Sequence, residues 1–370
     1  MAEPSQRYVP ALDGLRGIAI LIVVAHNSTL NEAHASIVAK LWTGFTDAGW
    51  IGVQLFFVLS GYLITGLLLD GRDRPHALRT FYVRRSLRIF PLYYVVMIAR
   101  VLVVPLFVPA LAVGFSTQIW YWLYLSNWSD LLQAPIHGMS HCWSLAVEEQ
   151  FYLTWPAVVR RLRPRTIAWV CIAIAIGALA ARLAFYAAGI DHSWMYSSTV
   201  ARADALALGA LVALGVRAEL DARRFARVRR RIGALALAAL AVIAAWAHGL
   251  SRFNPRIETV GYTLIAVLFA VVVAEIVQPA PHRAWRWLDR PALRLVGRYS
   301  YAMYLFHLPL RFIIEAHAGG WLAAGAARAP VASDVVWVLA IAAISFALAA
   351  LSYVAIERPF LALKDRWAPR

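Results

Sequence analysis

Residues 11–30 read ALDGLRGIAILIVVAHNSTL, and this stretch decides how the rest of the chain is interpreted. It has about the 20 residues that an α-helix needs to cross the hydrocarbon core of a bilayer. Two ionisable side chains, Arg16 and His26, interrupt the apolar run. Charge inside a membrane helix is costly and usually marks a functional residue. The stretch therefore predicts a retained signal-anchor helix that carries part of a functional site.

Further apolar runs follow, separated by short polar segments. Hydrophobic residues make up 61% of the 370 residues and charged residues 15%, whereas an ordinary soluble protein has about 25% charged residues. We therefore predict an all-α, polytopic membrane protein with about ten transmembrane helices. The predicted spans are 11–30, 48–69, 89–108, 143–162, 166–188, 199–216, 232–248, 257–278, 299–317 and 333–356. Between the third and fourth, IWYWLYLSNW (119–128) predicts an interfacial or re-entrant helix because it is short and rich in Trp and Tyr.

The positive charge is concentrated between alternate spans. Segments 70–88, 160–165, 217–231, 279–298 and 357–370 hold 26 Lys and Arg residues, whereas the five intervening loops hold four. This bias places the basic segments and both termini in the cytoplasm. We predict one transmembrane domain, 1–370, without a fused soluble domain, in the cytoplasmic (inner) membrane of a bacterium. The net charge of +16 does not indicate nucleic-acid binding, because the basic residues are confined to loops. Membrane lipids and anionic soluble ligands fit better as partners.

Ionisable residues inside the first and fourth spans are the first candidates for a site. Arg16 and His26 are ten residues apart, about 15 Å along a helix, so they are predicted to line one cavity at different depths. Glu148, in HCWSLAVEEQFYL (141–153), is predicted at the depth of His26, where a carboxylate would fix the imidazole tautomer and raise its basicity. The structural alternatives are that Arg16 forms an interfacial ion pair with Asp13 and that His26 is a core histidine hydrogen-bonded within the protein.

Two later motifs add candidates. FYVRRSLRIFPLYY (81–94) carries Arg84, Arg85 and Arg88, which would either bind phosphate or anchor the helix in the cytoplasm. SYAMYLFHLPL (300–310) carries Ser300, Tyr304 and His307, and Pro309 is typical of a broken helix that lines a cavity. Arg202 and Asp204, near the outer end of span six, would either pair or serve other roles. No residue spacing indicates a metal or a glycine-rich phosphate loop.

Seven stretches, in order from residue 11 to residue 360, resemble the acyltransferase-3 family of integral membrane O-acyltransferases. They are ALDGLRGIAILIVVAH, GVQLFFVLSGYLI, FYVRRSLRIFPLYY, WSLAVEEQFYLTWP, RADALALG, GRYSYAMYLFHLPL and IERPF. The resemblance implies that an acyl group, commonly acetyl, is transferred from cytoplasmic acyl-CoA to a hydroxyl group. It implies no metal. The order and extent of the seven stretches make the match specific.

The resemblance assigns roles to residues of this chain. His26, Glu148 and Arg16 are expected to be catalytic, with His26 removing the proton of the acceptor hydroxyl. The expected acyl-CoA-binding residues are Arg84, Arg85, Arg88, Ser300, Tyr304 and His307. One departure is Ala25, which stands where the family frequently has an aromatic residue, so the local pocket is expected to be smaller.

The predicted activity is a membrane O-acyltransferase, first of all an O-acetyltransferase. The acceptor is expected to be a surface or secreted glycan or its lipid-linked precursor. The alternative acceptor is a small hydroxylated metabolite such as a macrolide, and the alternative classes are a proton-coupled transporter and a non-catalytic scaffold. Some members of the family carry a fused hydrolase-like domain. Either a separate periplasmic or extracellular transferase takes its place, or the acceptor reaches the membrane site directly.

Overall fold

The computed structural model describes residues 8–30, 36–129, 131–132, 135–218, 222–278 and 282–368, and these ranges contain helices and no strand. The predicted all-α class is therefore confirmed. The main helices are α1 (Pro10–Ser28), α2 (Ile37–Asp47), α3 (Ile51–Asp70), α4 (Ala77–Ile98), α5 (Phe115–Trp122), α6 (Trp143–Arg161), α7 (Pro164–Ala187), α8 (His192–Ser197), α9 (Thr199–Arg217), α10 (Ala222–Trp246), α11 (Tyr262–Ile276), α12 (Pro291–Arg298), α13 (Ser300–Arg328) and α14 (Pro330–Ser352).

Each of the ten predicted spans overlaps one of these helices, although the third, 89–108, shares only residues 89–98 with α4. Within the described ranges, seven helical stretches are long and apolar enough to cross a bilayer: Pro10–Ser28, Ile37–Asp70, Ala77–Phe107, Pro164–Ala187, His192–Arg217, Ile257–Ile276 and Pro330–Ala362. The chain is thus a multi-pass membrane protein. The other three predicted spans fall on the more highly charged helices α6, α10 and α13. The number of ten crossings and the cytoplasmic position of both termini remain predictions.

The aromatic segment 119–128 forms two short helices, the end of α5 and a single turn at Ser126–Ser129. Tyr124 lies between them with a φ of 55°, a left-handed conformation that ends a helix. The eight residues of α5 extend about 12 Å, which is too short to cross a bilayer. The segment therefore adds no helix of spanning length between α4 and α6.

Glycines bring the central helices into backbone contact. A Cβ atom on Gly61 of α3 would lie 1.9 Å from the carbonyl oxygen of Leu206 in α9. A Cβ atom on Gly297 of α12 would lie 1.8 Å from the carbonyl oxygen of Asp13 in α1. Small residues at such crossings let membrane helices pack closely. The contact between Gly297 and Asp13 fixes the position of α1, and with it the depths of Arg16 and His26.

A buried ion pair joins α7, α9 and α11. The Arg182 guanidinium lies 3.0 Å from Asp204 Oδ2, and Thr263 Oγ1 donates to the same oxygen at 2.7 Å. Both charged side chains are fully buried, so each satisfies the other. The pairing of Arg202 with Asp204 that the sequence left open is therefore not formed.

Candidate active site

A cavity of about 500 Å³ lies at the end of the bundle where α1 ends. It is bounded by the end of α1, the beginnings of α3 and α6, the segments before α9 and α11, and the first half of α13. Aromatic walls with a few convergent polar groups are typical of ligand sites. The lining residues are Val23, His26, Asn27, Trp50, Val53, Pro135, Ser140, His141, Trp143, Asp191, Ser193, Tyr196, Arg252, Phe253, Tyr304 and Leu308.

His26 faces this cavity in a defined tautomer. Its Nδ1 lies 2.8 Å from the carbonyl oxygen of Thr46, and its Nε2 lies 3.0 Å from Nη1 of Arg252. A carbonyl oxygen can only accept a hydrogen bond and a guanidinium can only donate one. Nδ1 therefore carries the proton, and the Nε2 lone pair accepts from Arg252 at the cavity wall.

The helix α2 holds His26 in place. The segment 31–49 was predicted to be a loop between spans, but residues 37–47 are helical, and Thr46 lies in the last turn. Asp334 of α14 fastens the helix by accepting hydrogen bonds from Trp42 Nε1 at 2.7 Å and from the Leu30 amide at 2.8 Å. The sequence signal for this support was weak, because a carboxylate inside an apolar run does not show which helix it will bind.

The predicted contact between His26 and Glu148 is not formed. Glu148 Oε1 instead accepts a hydrogen bond from Ser60 Oγ at 2.6 Å. Ser60 lies ten residues beyond Trp50, which places it about 15 Å along α3 from the cavity wall. His26 and Glu148 lie at similar distances from the ends of their predicted spans, but their side chains point in different directions. The Glu148 side chain extends toward the opposite end of the bundle, and Thr46 takes the place expected for the carboxylate.

The motif of α13 meets the cavity from the other side. Tyr304 lines the cavity, and its hydroxyl donates to the His141 carbonyl at 2.8 Å and lies 2.7 Å from Ser144 Oγ. His307 is fully buried behind it, between the Tyr304 carbonyl and the Asn27 amide. This arrangement brings Tyr304 and His307 to the end of the bundle that holds His26.

Ser300 lies one helical turn before Tyr304 on α13. Its side chain is buried, and its Oγ atom has no hydrogen-bond partner among the described residues. Ser300, Tyr304 and His307 were all predicted to bind acyl-CoA, and that role stays a prediction for each of them.

Arg16, Arg85 and Arg88 form a second polar group, which we call the arginine cluster. Arg16 interacts electrostatically with Arg85 and Glu148, and Arg88 with Arg16 and Arg85. The Arg85 guanidinium stacks 3.4 Å from the centroid of the Tyr152 ring. Arg16 and Arg85 each have a buried Nε atom without a hydrogen-bond partner in the described part of the chain.

Carboxylates partly balance the arginine cluster. Glu149 Oε1 lies 3.6 Å from Arg85 Nη2, and Glu148 and Asp13 interact with Arg16. Arg88 is the one residue of the three that is exposed as a whole, and Glu357 lies in its electrostatic range. Arg88 is therefore the member of the cluster that is most accessible to a ligand.

Arg84 turns away from the other two arginines of its motif. Its Nε donates to the Ala368 carbonyl at 2.8 Å. The motif thus divides, with Arg85 and Arg88 directed toward Arg16 and Arg84 toward the last described residues. Adjacent residues on a helix point about 100° apart. Arg84, Arg85 and Arg88 therefore cannot all bind one anion in the same way.

Arg202 occupies an aromatic cage next to the cavity. Its side chain is fully buried, and none of its three guanidinium nitrogens has a hydrogen-bond partner within the described ranges. Five rings surround it, with centroids 4.2–5.9 Å from the guanidinium carbon: Trp50, Phe57, Trp143, Tyr196 and Tyr262. Trp50, Trp143 and Tyr196 also line the cavity, so a positive charge lies directly behind its wall.

Comparison with known proteins gives this arrangement a family. The family of acyltransferase domains called Acyl_transf_3 matches residues 9–354. The chain belongs to the acyltransferase-3 family. The matched residues include every helix that supplies a side chain to the cavity or to the arginine cluster. The resemblance drawn from seven short motifs is confirmed, and six of the seven stretches lie within residues 9–354.

Among curated proteins, the chain is 29% identical over 329 residues to the "Peptidoglycan O-acetyltransferase OatA" of Listeria monocytogenes, a match that covers 83% of this chain and 50% of that protein. It is 29% identical to the "Putative peptidoglycan O-acetyltransferase YrhL" of Bacillus subtilis over 82% of this chain and 49% of that protein. It is 27% identical to the "O-acetyltransferase OatA" of Staphylococcus aureus, with coverages of 85% and 52%. The chain thus spans about half the length of these relatives. No solved structure matches it.

Proposed function

We propose that this acyltransferase-3 protein is a membrane O-acyltransferase, and specifically an O-acetyltransferase, that uses acyl-CoA as donor. The acceptor is a hydroxyl of a surface or secreted glycan or of its lipid-linked precursor. One observation carries the proposal: His26 holds the lone pair of a fixed neutral tautomer at the wall of a cavity large enough for a ligand. The names of the relatives, which specify O-acetylation and in two cases peptidoglycan, support the same chemistry.

The donor is proposed to enter at the end of the bundle that holds the arginine cluster. This is the end that the charge bias places in the cytoplasm, where acyl-CoA is found. Arg88 is the exposed residue of the arginine cluster, and arginine binds phosphate through charge-assisted hydrogen bonds. Arg85 is proposed to add to this phosphate site, and Arg84, which donates to the Ala368 carbonyl, to contribute positive charge beside it. Glu148 then belongs to the donor site, where it would hold Arg16 and Arg85 in position.

Arg16 and His26 are about 15 Å apart along α1, and the extended pantetheine arm of CoA is proposed to bridge them. The thioester would then lie beside the cavity, with the phosphates at the opposite end of α1. His26 Nε2 accepts the proton of the acceptor hydroxyl as its oxygen attacks the thioester carbonyl carbon. A general base of this kind contributes a rate factor of about 10²–10⁴.

The cavity suits a sugar as acceptor. Trp50, Trp143, Tyr196 and Phe253 line it, and aromatic rings offer flat apolar faces with polar edges. The charge bias places this end of the bundle outside the cytoplasm. A glycan or a lipid-linked saccharide outside the cytoplasmic membrane would therefore reach His26 without crossing the bilayer.

Acceptor-dependent release of CoA thiol tests the proposal. Purified full-length protein in lipid nanodiscs would receive labelled acetyl-CoA with a soluble glycan fragment, a macrolide or no acceptor. We expect thiol release and labelled ester with the glycan only. Ester on the macrolide would move the proposal to small metabolites. Transport of a solute without thiol release would refute the transferase activity.

The same preparation separates two chemical routes. Direct attack leaves no label on the protein, whereas an acyl-histidine intermediate would carry label on His26 before the acceptor is added. We expect no protein-bound label after rapid quenching. Label recovered on a peptide containing His26 would replace direct attack by a two-step transfer.

A further inference from the structure

Arg252 is the side chain nearest to the reactive nitrogen of His26. Its Nη1 atom lies 3.0 Å from His26 Nε2, and the side chain lines the cavity. It stands in the segment before α11, between two predicted spans, and the motifs of the sequence did not indicate it. A guanidinium in this position occupies the lone pair that the acceptor hydroxyl must reach.

The surroundings of Arg252 hold it in place without neutralising it. Its guanidinium carbon lies 4.6 Å from the Phe253 ring centroid and 5.0 Å from that of Tyr196, and its carbonyl oxygen accepts from the Tyr262 hydroxyl at 2.7 Å. No carboxylate of a described residue forms an ion pair with Arg252 within 4.0 Å. An arginine that only stabilises the fold would be expected to face an acid. This one faces the imidazole and the cavity.

A second cation reinforces the positive field at this wall. The guanidinium carbon of Arg202 lies 5.1 Å from the centroid of the same Tyr196 ring. Arg202 and Arg252 therefore both face one aromatic side chain of the cavity wall. Glu258 lies in the electrostatic range of Arg202 and Asp191 lines the cavity, but neither forms an ion pair with Arg252. A positive group at the cavity wall stabilises negative charge that develops there during a reaction.

We propose that Arg252 is a catalytic residue that binds the carbonyl oxygen of the thioester in the transition state. This inference rests on the proposed acyl transfer. When the acceptor hydroxyl donates to His26 Nε2, it displaces the Arg252 N–H from that lone pair. The released N–H then points at the space where the thioester carbonyl must lie for attack. Binding of the acceptor hydroxyl to His26 thus frees the Arg252 N–H to bind the thioester carbonyl oxygen.

The acceptor oxygen bonds to the carbonyl carbon, its proton passes to His26 Nε2, and the π electrons move onto the carbonyl oxygen, which Arg252 binds. The C=O bond then re-forms and the C–S bond breaks. The proton on Nε2 passes to the departing thiolate. The products are the O-acyl ester and CoA thiol, and His26 returns to its neutral tautomer.

Arg252→Ala tests the assignment, with Arg256→Ala as the matched control. Arg256 is four residues away and exposed, and its guanidinium stacks on Trp246 at 3.9 Å, outside the cavity. Removal of one oxyanion donor lowers kcat by about 10²–10³-fold. We expect a fall of this size for Arg252→Ala, with KM for acyl-CoA within threefold of wild type. Millimolar methylguanidinium should restore part of the lost kcat, and Arg256→Ala should behave as wild type.

Other results would overturn the assignment. Wild-type kcat in Arg252→Ala would exclude the role and leave the proposed function standing. The same holds for a loss that lies wholly in KM, or for a loss of kcat that methylguanidinium does not restore although the melting temperature is unchanged. A wild-type protein that transfers no acyl group to any acceptor would refute the proposed function itself, and this assignment with it.

Discussion

Gly49→Ala is expected to displace His26, although Gly49 does not itself line the cavity. A Cβ atom at position 49 would lie 2.8 Å from His26 Cβ and 2.4 Å from the Ile22 carbonyl oxygen. Ordinary contact begins at 3.4 Å, so α1 and the turn at Ala48–Trp50 must separate by about 1 Å at Ile22. A 1 Å misplacement of a reacting group can lower the rate about 10²-fold. We expect a fall in kcat of that size, measured as acceptor-dependent thiol release.

Two glycines separate this effect from simple destabilisation. Gly52→Ala would place its Cβ atom 2.6 Å from the Ala19 carbonyl oxygen and 2.7 Å from Cγ2 of Val23, in the same helix pair but not against His26. Overpacking of either kind costs about 1–3 kcal/mol of stability, so both variants should melt earlier by similar amounts. Gly44→Ala, in the interior of α2, meets nothing within 4 Å; it should leave kcat unchanged and raise stability by up to about 1 kcal/mol. Wild-type kcat in Gly49→Ala, or an equal loss in Gly52→Ala, would refute the link between this turn and the imidazole.

Three further outcomes are expected. Arg88→Ala should raise KM for acyl-CoA by about 10–100-fold, because a hydrogen bond to a charged group contributes about 1.5–3 kcal/mol; an unchanged KM would remove Arg88 from the donor site. Glu148→Gln should alter KM for acyl-CoA more than kcat, and a pure kcat effect would restore the predicted coupling to His26. Gly61→Ala should lower the melting temperature by separating α3 from α9, whereas Gly177→Ala, with nothing within 4 Å, should raise stability by up to about 1 kcal/mol; equal melting temperatures would contradict the packing argument.

Hydropathy and charge were sufficient to place the helices. A helix of 20 apolar residues forms its backbone hydrogen bonds internally and faces lipid or other helices. Its position can therefore be predicted from the local sequence. That is why α1, α3 and α7 lie where residues 11–30, 48–69 and 166–188 predict them. The short aromatic segment 119–128 was also separable from the spans, because its length alone excludes a crossing.

The contacts of His26 were not predictable in the same way. The prediction joined Glu148 to His26 because both lie near the same ends of their spans. Which of its neighbours a side chain reaches depends on helix rotation, and two side chains at equal depth can face opposite ways. The carboxylate was satisfied by Ser60, and the imidazole by a backbone carbonyl from α2. Every residue has a backbone carbonyl, so the residue type of Thr46 does not indicate that it will bind His26.

Arg252 and Arg202 show a second limit of the sequence. Arg252 was counted as one of two positive charges in an outer loop, a number too small to affect the topology argument. Its guanidinium lies beside the rings of Phe253 and Tyr196, and nothing in the local sequence shows that Tyr196, from α8, will be there. The sequence left open whether Arg202 pairs with Asp204, which is close in sequence, but residues i and i+2 point to different sides of a helix.

The central claim is that His26 Nε2 takes the proton of the acceptor hydroxyl. Single-turnover transfer of labelled acetyl from acetyl-CoA to the glycan acceptor, compared between wild type and His26→Gln, tests it most directly when acetyl-CoA affinity is measured on the same preparations. The expected result is a transfer rate about 10²–10⁴-fold lower in the variant, with unchanged acetyl-CoA affinity. Transfer by His26→Gln at the wild-type rate would contradict the claim.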